Sequence, residues 1–584
     1  MAATPTATPY RLLTSHFLRQ FLANDLIAPD ADRSQLLAVL TATVVCLTLF
    51  ISTVMSFTYV GPLLTPGLAA VLSLDDKFFY LAFGMVVTAL VAASQWDALA
   101  IDARDAAILE PLPVRAALVR RAKLSAVAVV GMAAGLAVNL CPSIVFPSLI
   151  LFTFRQASFL ALIGMILAHA TFTVAASLFG YLTVVTLREV LTAVLGPNWF
   201  ARVSPWVQGA LIVLLGGSLL LLPPAANRIA HRGFEGWRVM APPMWFLGAY
   251  EMSAGHILID LPRTPMRPRQ AENEQLATSV YRQRQGEFPA LAGRAGYAIG
   301  STLLIGTAAY LWNARRRLSL AAVPPAAVHH KWLLVGRLAN LLVVRRAAAR
   351  AGFHFAMAAM WRSNTHRLTL ACAAAVGLAM AVLVLSGSNV QSGQVSARLL
   401  AAQPLLYGAL LVGFRHTIRV PAELRASWGF QLAWRNQQQS FIAGVKSAAI
   451  VALVVPALLV LLPLFTFALG PTRALLHAAL GLGGAIVMLE SLLIQYDKVP
   501  FTCTYLPREN MKALAPVYAI AFAIGASIFA RMQHAALYDT PVPTLLTLLA
   551  VYAALRLVAV TRARLPYVEF DEAPATFQRL GLDG

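Results

Sequence analysis

The sequence predicts an all-α polytopic membrane protein with about twelve membrane-spanning helices. Of its 584 residues, 59% are hydrophobic and only 12% are charged, and the mean hydropathy is +0.70. Soluble globular chains are about 45–50% apolar and about 25% charged. A membrane-spanning helix needs about 20 mainly apolar residues, so this composition is sufficient for about a dozen of them. It also excludes a soluble enzyme, a disordered chain and a small disulfide-rich protein.

Apolar segments of spanning length occur in two sets of six. A window of about 19 residues marks the first set near 36–57, 78–95, 124–146, 158–186, 208–223 and 295–313. The second set lies near 367–386, 399–414, 441–468, 474–496, 514–531 and 543–560. A stretch rich in lysine and arginine separates the two sets, which predicts two six-helix halves.

The formal net charge of +21 predicts how the chain crosses the membrane. If the N-terminus is placed in the cytoplasm and the spans alternate, most lysines and arginines fall in cytoplasmic loops, as the positive-inside rule requires. Both termini are then cytoplasmic. The exception is the segment 224–293, which contains many arginines yet falls outside. Long loops cross the membrane largely regardless of their charge, so this segment is compatible with the topology.

Five regions follow from these spans. They are an N-terminal cytoplasmic amphipathic segment at 1–35, a first six-span unit at 36–313 with its outside loop at 224–293, a basic cytoplasmic linker with a second amphipathic segment at 314–366, a second six-span unit at 367–560, and a cytoplasmic tail at 561–584. Each unit has an amphipathic segment before its first span, at 10–21 and 353–361, and a cytoplasmic loop after its second span. We interpret the two units as an internal repeat.

The most informative local feature is the loop at 96–123. Its acidic residues alternate with apolar ones, and two prolines then form a rigid turn, because proline fixes the backbone angle φ and lacks a donor. The residues of interest are Asp102, Asp105, Glu110, Pro111, Leu112, Pro113, Arg115 and Lys123. Such a helix–turn–helix at the membrane face could transmit force from a soluble partner that docks on it. The alternative is an ordinary connector whose acidic residues keep it in water.

The run Ile108-Leu-Glu-Pro-Leu-Pro-Val-Arg115, followed by Ala122-Lys123, resembles the loop between spans two and three of ABC-2 type exporter permeases. The resemblance implies an amphipathic helix before the first span, a loop that docks on an ATPase subunit, and an outside segment between spans five and six. In the second half, Glu423 and Arg425 occupy the corresponding loop. The short connection at 532–542 departs from the family pattern and indicates asymmetric halves.

The sequence contains no phosphate-binding Gly-x4-Gly-Lys-Ser/Thr loop, and no Gly-Lys dipeptide occurs in it. The resemblance therefore implies a transport subunit that is not itself an enzyme, with ATP hydrolysed by separate ABC ATPase subunits, two in number. We expect membrane lipids as partners. We expect no cofactor in this chain, no metal site and no nucleic-acid partner. The expected location is the bacterial plasma (inner) membrane.

Two polar residues inside predicted spans are candidates for a transport pathway, because burying such groups in a membrane is costly. Glu490 lies in the tenth span and is either a pathway carboxylate or a residue near the inner interface. His169 lies in the fourth span and is either a pathway residue or a hydrogen-bonded packing residue.

Two other functions remain open. Secondary transporters of the major facilitator kind also have twelve spans as six plus six. Their Gly-x3-Asp-Arg-x-Gly-Arg-Arg motif is absent, since the residues at 102–107 contain no glycine. A membrane-embedded lipid-linked transferase would need acidic residues in the first outside loop, where Asp75 and Asp76 are the only candidates.

Overall fold

The computed structural model of the chain describes residues 8–22, 46, 48–55, 59, 64–101, 105, 108–109, 111–154, 157–226, 239–261, 267–316, 340, 344–386, 395–420, 438–494, 496, 499–502 and 515–562. The chain divides into two compact units, which we call the first unit (Met1–Val328) and the second unit (His329–Gly584). The boundary between them falls inside the predicted linker at 314–366.

All regular secondary structure in the described residues is helical, and nine of these helices are long and apolar enough to cross a membrane. The prediction of an all-α polytopic membrane protein is therefore confirmed. The twelve spans and the cytoplasmic location of both termini stay predictions.

The helices of the first unit begin with α1 (Pro9–Leu22), α2 (Pro66–Ser94), α3 (Ala116–Phe152), α4 (Phe159–Gly196) and α5 (Trp199–Leu222). They continue with α6 (Pro242–Ala254), α7 (His256–Ile259), α8 (Pro268–Gln285) and α9 (Phe288–Arg316). Helix α2 lies at the centre of the unit, because it packs along α4 and also contacts α3, α6 and α8. The chain turns from α4 into α5 at Gly196, whose φ of 70° favours glycine.

The start of the second span differs from the prediction. Helix α2 begins at Pro66, twelve residues before the predicted span near 78–95, so part of the predicted first outside loop is helical. Proline is well suited to the first turn of a helix, where its missing N–H is not needed. As a result Asp75, Asp76 and Lys77 lie within a helix rather than in a loop.

The predicted outside segment at 224–293 is largely helical where it is described. It contains α6, α7 and α8 and the first residues of α9. Helix α6 is apolar and packs against α9, α4 and α2, whereas α8 is polar and packs on α2. This segment therefore covers one end of α2.

The helices of the second unit begin with α10 (Ala347–Arg362), α11 (Asn364–Ser386), α12 (Ala397–Thr417) and α13 (Gln438–Leu469). They continue with α14 (Pro471–Leu492), α15 (Ala515–Tyr538) and α16 (Val542–Arg562). Helix α13 contains a π-helical turn at Ile450–Val454, just before Pro456. The ring of a proline inside a helix clashes with the carbonyl of residue i−4, and a wider turn relieves that clash.

Helix α10 packs against the first turns of α13 at unusually close range. A Cβ atom added at Gly444 would collide with the backbone carbonyl oxygen of Ala349, and one added at Gly352 would collide with that of Phe441. Each helix therefore contributes a glycine that lets the other backbone approach. In the first unit, α1 packs against the first turns of α3, so an amphipathic helix contacts the third predicted span in both units.

Three predicted spans are not among the nine. The segment 36–57 is described only at residue 46 and at 48–55, which are helical. The segment 295–313 lies in α9, whose glycine and hydroxyl residues reduce its hydropathy, and 514–531 lies in α15. The described parts of these segments are helical, and whether they cross the membrane stays a prediction.

Candidate functional site

The loop at 96–123 is described in part, and two of its apolar side chains are exposed although Leu99 and Leu109 are buried. Ile108 and Leu112 are 59% and 46% exposed. The adjacent residues Pro111, Pro113 and Arg115 are also exposed. Of the other predicted docking residues, Asp102, Glu110, Glu423 and Arg425 lie outside the described part of the chain. The turn before α3 therefore offers an accessible surface that combines apolar and charged groups.

The beginning of this loop is held by the ends of α4 and α5. Trp96 is completely buried, and its indole N–H donates to Ser204 Oγ at 2.7 Å. The carbonyl of Trp96 accepts from Arg188 Nε at 2.9 Å. A movement of the loop would therefore be transmitted to both helices.

The other end of the loop is held by α1. Lys123, near the start of α3, is buried, and its Nζ lies 4.6 Å and 5.0 Å from the ring centroids of Phe17 and Phe21. The same ammonium donates to Gln20 Oε1 at 3.1 Å. Lysine close to aromatic faces is stabilised by cation–π attraction, so Lys123 binds the amphipathic helix to the third predicted span.

A further contact joins α1 to the loop itself. Asp105 Oδ1 lies 3.3 Å from His16 Nε2. Helix α1, the described loop residues (96–101, 105, 108–109 and 111–115) and the first two turns of α3 are thus connected, and we call them the loop platform.

A second site, which the sequence did not predict, is a cluster of polar groups buried between α2, α6 and α8. Lys77 Nζ lies 2.6 Å from Glu251 Oε1, and the two side chains are 2% and 0% exposed. The hydroxyl of Tyr281 donates to Glu251 Oε2 at 2.5 Å. Lys77 also lies 4.8 Å from the centroid of the Tyr250 ring. Both carboxylate oxygens therefore have a donor, as a buried charge requires.

The protonation of Tyr281 favours this arrangement. Burial, together with the negative charge of Glu251 and the hydrogen bond to it, raises the pKa of the Tyr281 phenol well above its usual value. The phenol therefore keeps its proton and acts as a donor to the carboxylate.

A second contact attaches helix α8 to α2, because the two carboxylate oxygens of Glu274 accept from the backbone N–H of Gly67 at 2.8 Å and 3.1 Å. A carboxylate at the start of a helix also interacts favourably with the helix dipole.

His169, one of the two predicted pathway candidates, lies at the edge of this buried cluster. Its Nδ1 is 3.3 Å from the Tyr250 hydroxyl, and its ring packs against Tyr80 and Phe146. The side chain is completely buried, and Nε2 has no hydrogen-bond partner. The ring is therefore enclosed by aromatic side chains with one nitrogen unpaired, and a role in a transport pathway stays a prediction.

Glu490, the other candidate, is part of an ion-pair group in the second unit. Its Oε2 lies 2.5 Å from Lys446 Nζ, and its Oε1 lies 3.9 Å from Arg556 Nη1. Glu490 therefore connects α13, α14 and α16. Lys446 lies near the start of the third predicted span of the second unit, as Lys123 does in the first unit, but the two lysines bind different partners.

The sequence does not predict this pairing, because the charges at 75–77 interrupt the hydropathy of α2 and Glu251 lies in the segment 224–293, which is predicted to fall outside the membrane. Two signals were present in the sequence. The run Pro66–Leu74 is largely apolar, and Glu251 is the only charged residue within α6. Where the structure describes the chain, no group of three or more His, Cys, Asp or Glu side chains could hold a metal ion.

Comparison with known proteins finds no match to this chain among protein-family models, curated proteins or solved structures.

Replacing Tyr281 with phenylalanine tests the buried cluster. We expect a loss of about 1.5–3 kcal/mol in the free energy of unfolding, because one oxygen of a buried carboxylate loses its donor. The measurement is equilibrium unfolding in mixed detergent micelles. Tyr297→Phe is the matched control, since Tyr297 is 82% exposed and its change should have little effect. Equal losses in the two variants would contradict the assignment.

Proposed function

We propose that this chain is the membrane-spanning subunit of an ATP-driven exporter of the ABC-2 type, located in the bacterial plasma membrane. It would move its substrate by alternating access, and separate ATPase subunits would supply the energy. The observation that carries the proposal is the loop platform. It presents the exposed side chains of Ile108, Leu112 and Arg115. It is attached to α1, α3, α4 and α5 through Lys123, Trp96 and Arg188.

The platform is suited to transmitting motion because its attachments are short and partly buried. A docked ATPase that moved the turn would move Trp96, and Trp96 contacts the ends of two apolar helices. The same motion would reach α3 through α1 and Lys123. Packed cores switch between discrete arrangements rather than deforming continuously, so a rigid connection of this kind favours coupling.

In this proposal the ATPase docks on the exposed apolar residues of the turn, Ile108 and Leu112. We expect Ile108→Asp combined with Leu112→Asp to reduce recovery of the ATPase at least tenfold, since a few central residues carry about 2 kcal/mol or more each in most interfaces. The measurement is purification of the tagged chain from its own membranes in mild detergent, with assay of ATP hydrolysis in the eluate.

Leu276→Asp provides the control for this experiment. Leu276 is an exposed leucine (68%) on α8, away from the loop, and its replacement makes the same kind of substitution with one of the two negative charges that the loop variant adds. The platform assignment is wrong if the loop variant and the control retain equal ATPase activity. The exporter proposal as a whole is overturned if the purified chain transports on an ion gradient alone.

One observation supports a second candidate, a secondary transporter of the major facilitator kind. Ionisable residues within membrane helices often mark ion pathways, and Lys77 in α2 pairs with Glu251 at 2.6 Å. An ion-driven transporter would lose activity when the ion gradient is collapsed and would not respond to ATP. The transferase alternative has less support, because Asp76 lies in α2 and accepts a hydrogen bond from Tyr59 at 2.6 Å.

A further inference from the structure

A groove of about 780 Å³ lies between the first turns of α4 and the helices α6 and α7. Its volume is in the range of small-molecule sites, which measure about 300–1,000 Å³. One wall comes from α4 and includes Leu160, Leu167 and Phe172. The opposite wall comes from the end of α6 and from α7. None of its lining residues belongs to the loop platform or carries a charge of the cluster around Glu251, although Phe172 stacks on Tyr250 with 5.9 Å between the ring centroids.

The two walls differ in chemistry. The wall from α4 is mainly apolar, whereas the opposite wall includes Ser253, His256 and Asp260. These three residues follow the spacing i, i+3 and i+7, which places them on one helical face. The helical path continues between α6 and α7 because Gly255 has φ −63° and ψ −30°. A polar stripe therefore runs along an apolar surface, an arrangement that suits an amphiphile.

The polar stripe has unused hydrogen-bonding capacity. In the described part of the chain, the side chains of Ser253, His256 and Asp260 form no hydrogen bond or ion pair. Asp260 is the only carboxylate among the described lining residues, and none of these is lysine or arginine. This charge pattern favours a ligand with a positively charged head group. A primary ammonium would also donate hydrogen bonds to the carboxylate.

The groove is open on the side of α4 that would face the membrane lipids. Leu160 and Leu167 on its rim are 80% and 61% exposed, and they belong to a helix that is apolar enough to span a membrane. Such side chains face the hydrocarbon of the bilayer, so a lipid tail can enter without passing through water. The lining residues of α4 run from Leu160 to Phe172, about 18 Å at 1.5 Å per residue. This length is more than half of the roughly 30 Å hydrocarbon thickness.

We propose that the groove binds a phosphatidylethanolamine molecule from the surrounding membrane. Its ammonium group donates to Asp260, its phosphate accepts hydrogen bonds from His256 and Ser253, and one acyl chain lies along Leu160, Leu167 and Phe172. This proposal requires only that the chain lies in a membrane, and it does not depend on ATP-driven export.

Native mass spectrometry of the full chain tests the proposal. The purified protein is stripped of lipid and titrated with phosphatidylethanolamine or with phosphatidylglycerol that carries the same acyl chains. We expect phosphatidylethanolamine to bind at least tenfold more tightly. In Asp260→Asn, which removes the carboxylate without changing its size, this preference should fall about tenfold. Glu272→Gln is the matched control, because Glu272 is exposed on α8 outside the groove, and it should keep the preference.

A second pair of variants tests the shape of the groove. A Cβ at Gly164 would lie 3.5 Å from Ile257 Cδ1, which is an ordinary contact. Gly164→Ala should therefore retain the lipid, whereas Gly164→Leu should fill the groove and lose it. Equal binding of the two lipids, or the same behaviour of Asp260→Asn and Glu272→Gln, would overturn the proposal. Retention of the lipid by Gly164→Leu would also overturn it.

Discussion

Replacing Lys77 with methionine is expected to lower the free energy of unfolding by about 3–5 kcal/mol. The change removes one partner of a buried ion pair and leaves the Glu251 carboxylate without its charge partner, which is the costly way to break such a pair. The pair has a distance of 2.6 Å, and neither side chain is more than 2% exposed. Equilibrium unfolding in mixed detergent micelles measures the loss. The variant Glu251→Gln should show a comparable loss, since it leaves the ammonium unpaired.

The double variant Lys77→Met with Glu251→Gln tests whether the two side chains stabilise the fold by interacting with each other. It removes both charges and keeps an acceptor for the Tyr281 hydroxyl, so we expect it to recover at least half of the loss of the single variants. Replacement of a complete buried pair by neutral groups is often tolerated. Additive losses in the double variant would show that the two side chains do not interact energetically.

Replacing Gly444 with alanine is expected to destabilise the second unit by about 1–3 kcal/mol through overpacking. The added Cβ would collide with the backbone carbonyl of Ala349, and a backbone atom cannot move aside as a flexible side chain can. Helix α10 would have to separate from α13. Thermal unfolding together with proteolysis of α10 measures this effect.

Gly525→Ala is the matched control for the same unit. Gly525 lies in α15, and nothing lies within 4 Å of the Cβ position. Alanine has the higher helix propensity by about 1 kcal/mol, so this variant should be unchanged or slightly more stable. The close packing of α10 on α13 would be refuted if Gly444→Ala behaved like its control.

The sequence predicted the helical spans because hydropathy depends on each residue separately and sums along the chain. The predicted segment 441–468 is close to Gln438–Leu469 in the structure, and 367–386 is close to Thr365–Leu385. The error at 78–95 has a local cause. Three consecutive charges at 75–77 interrupt the hydropathy of α2, although the helix continues through them from Pro66.

The loop platform was predictable only in part. The sequence singled out Lys123 and Asp105 by their place in the loop at 96–123. Their partners Phe17 and His16 lie about a hundred positions earlier, in α1. No local pattern connects residues so far apart, and the amphipathic segment could have packed elsewhere.

The amino-acid sequence by itself determined that this protein is helical, polytopic and embedded in a membrane, because apolar segments of spanning length have no other stable environment. The tertiary structure alone decided which charges meet. Lys77 and Glu251 are 174 positions apart, and Tyr281 follows 30 positions after Glu251. Their pairing depends on how α6 and α8 fold back onto α2, and burial makes that pairing necessary, since a charge in an apolar interior is stable only when it is paired.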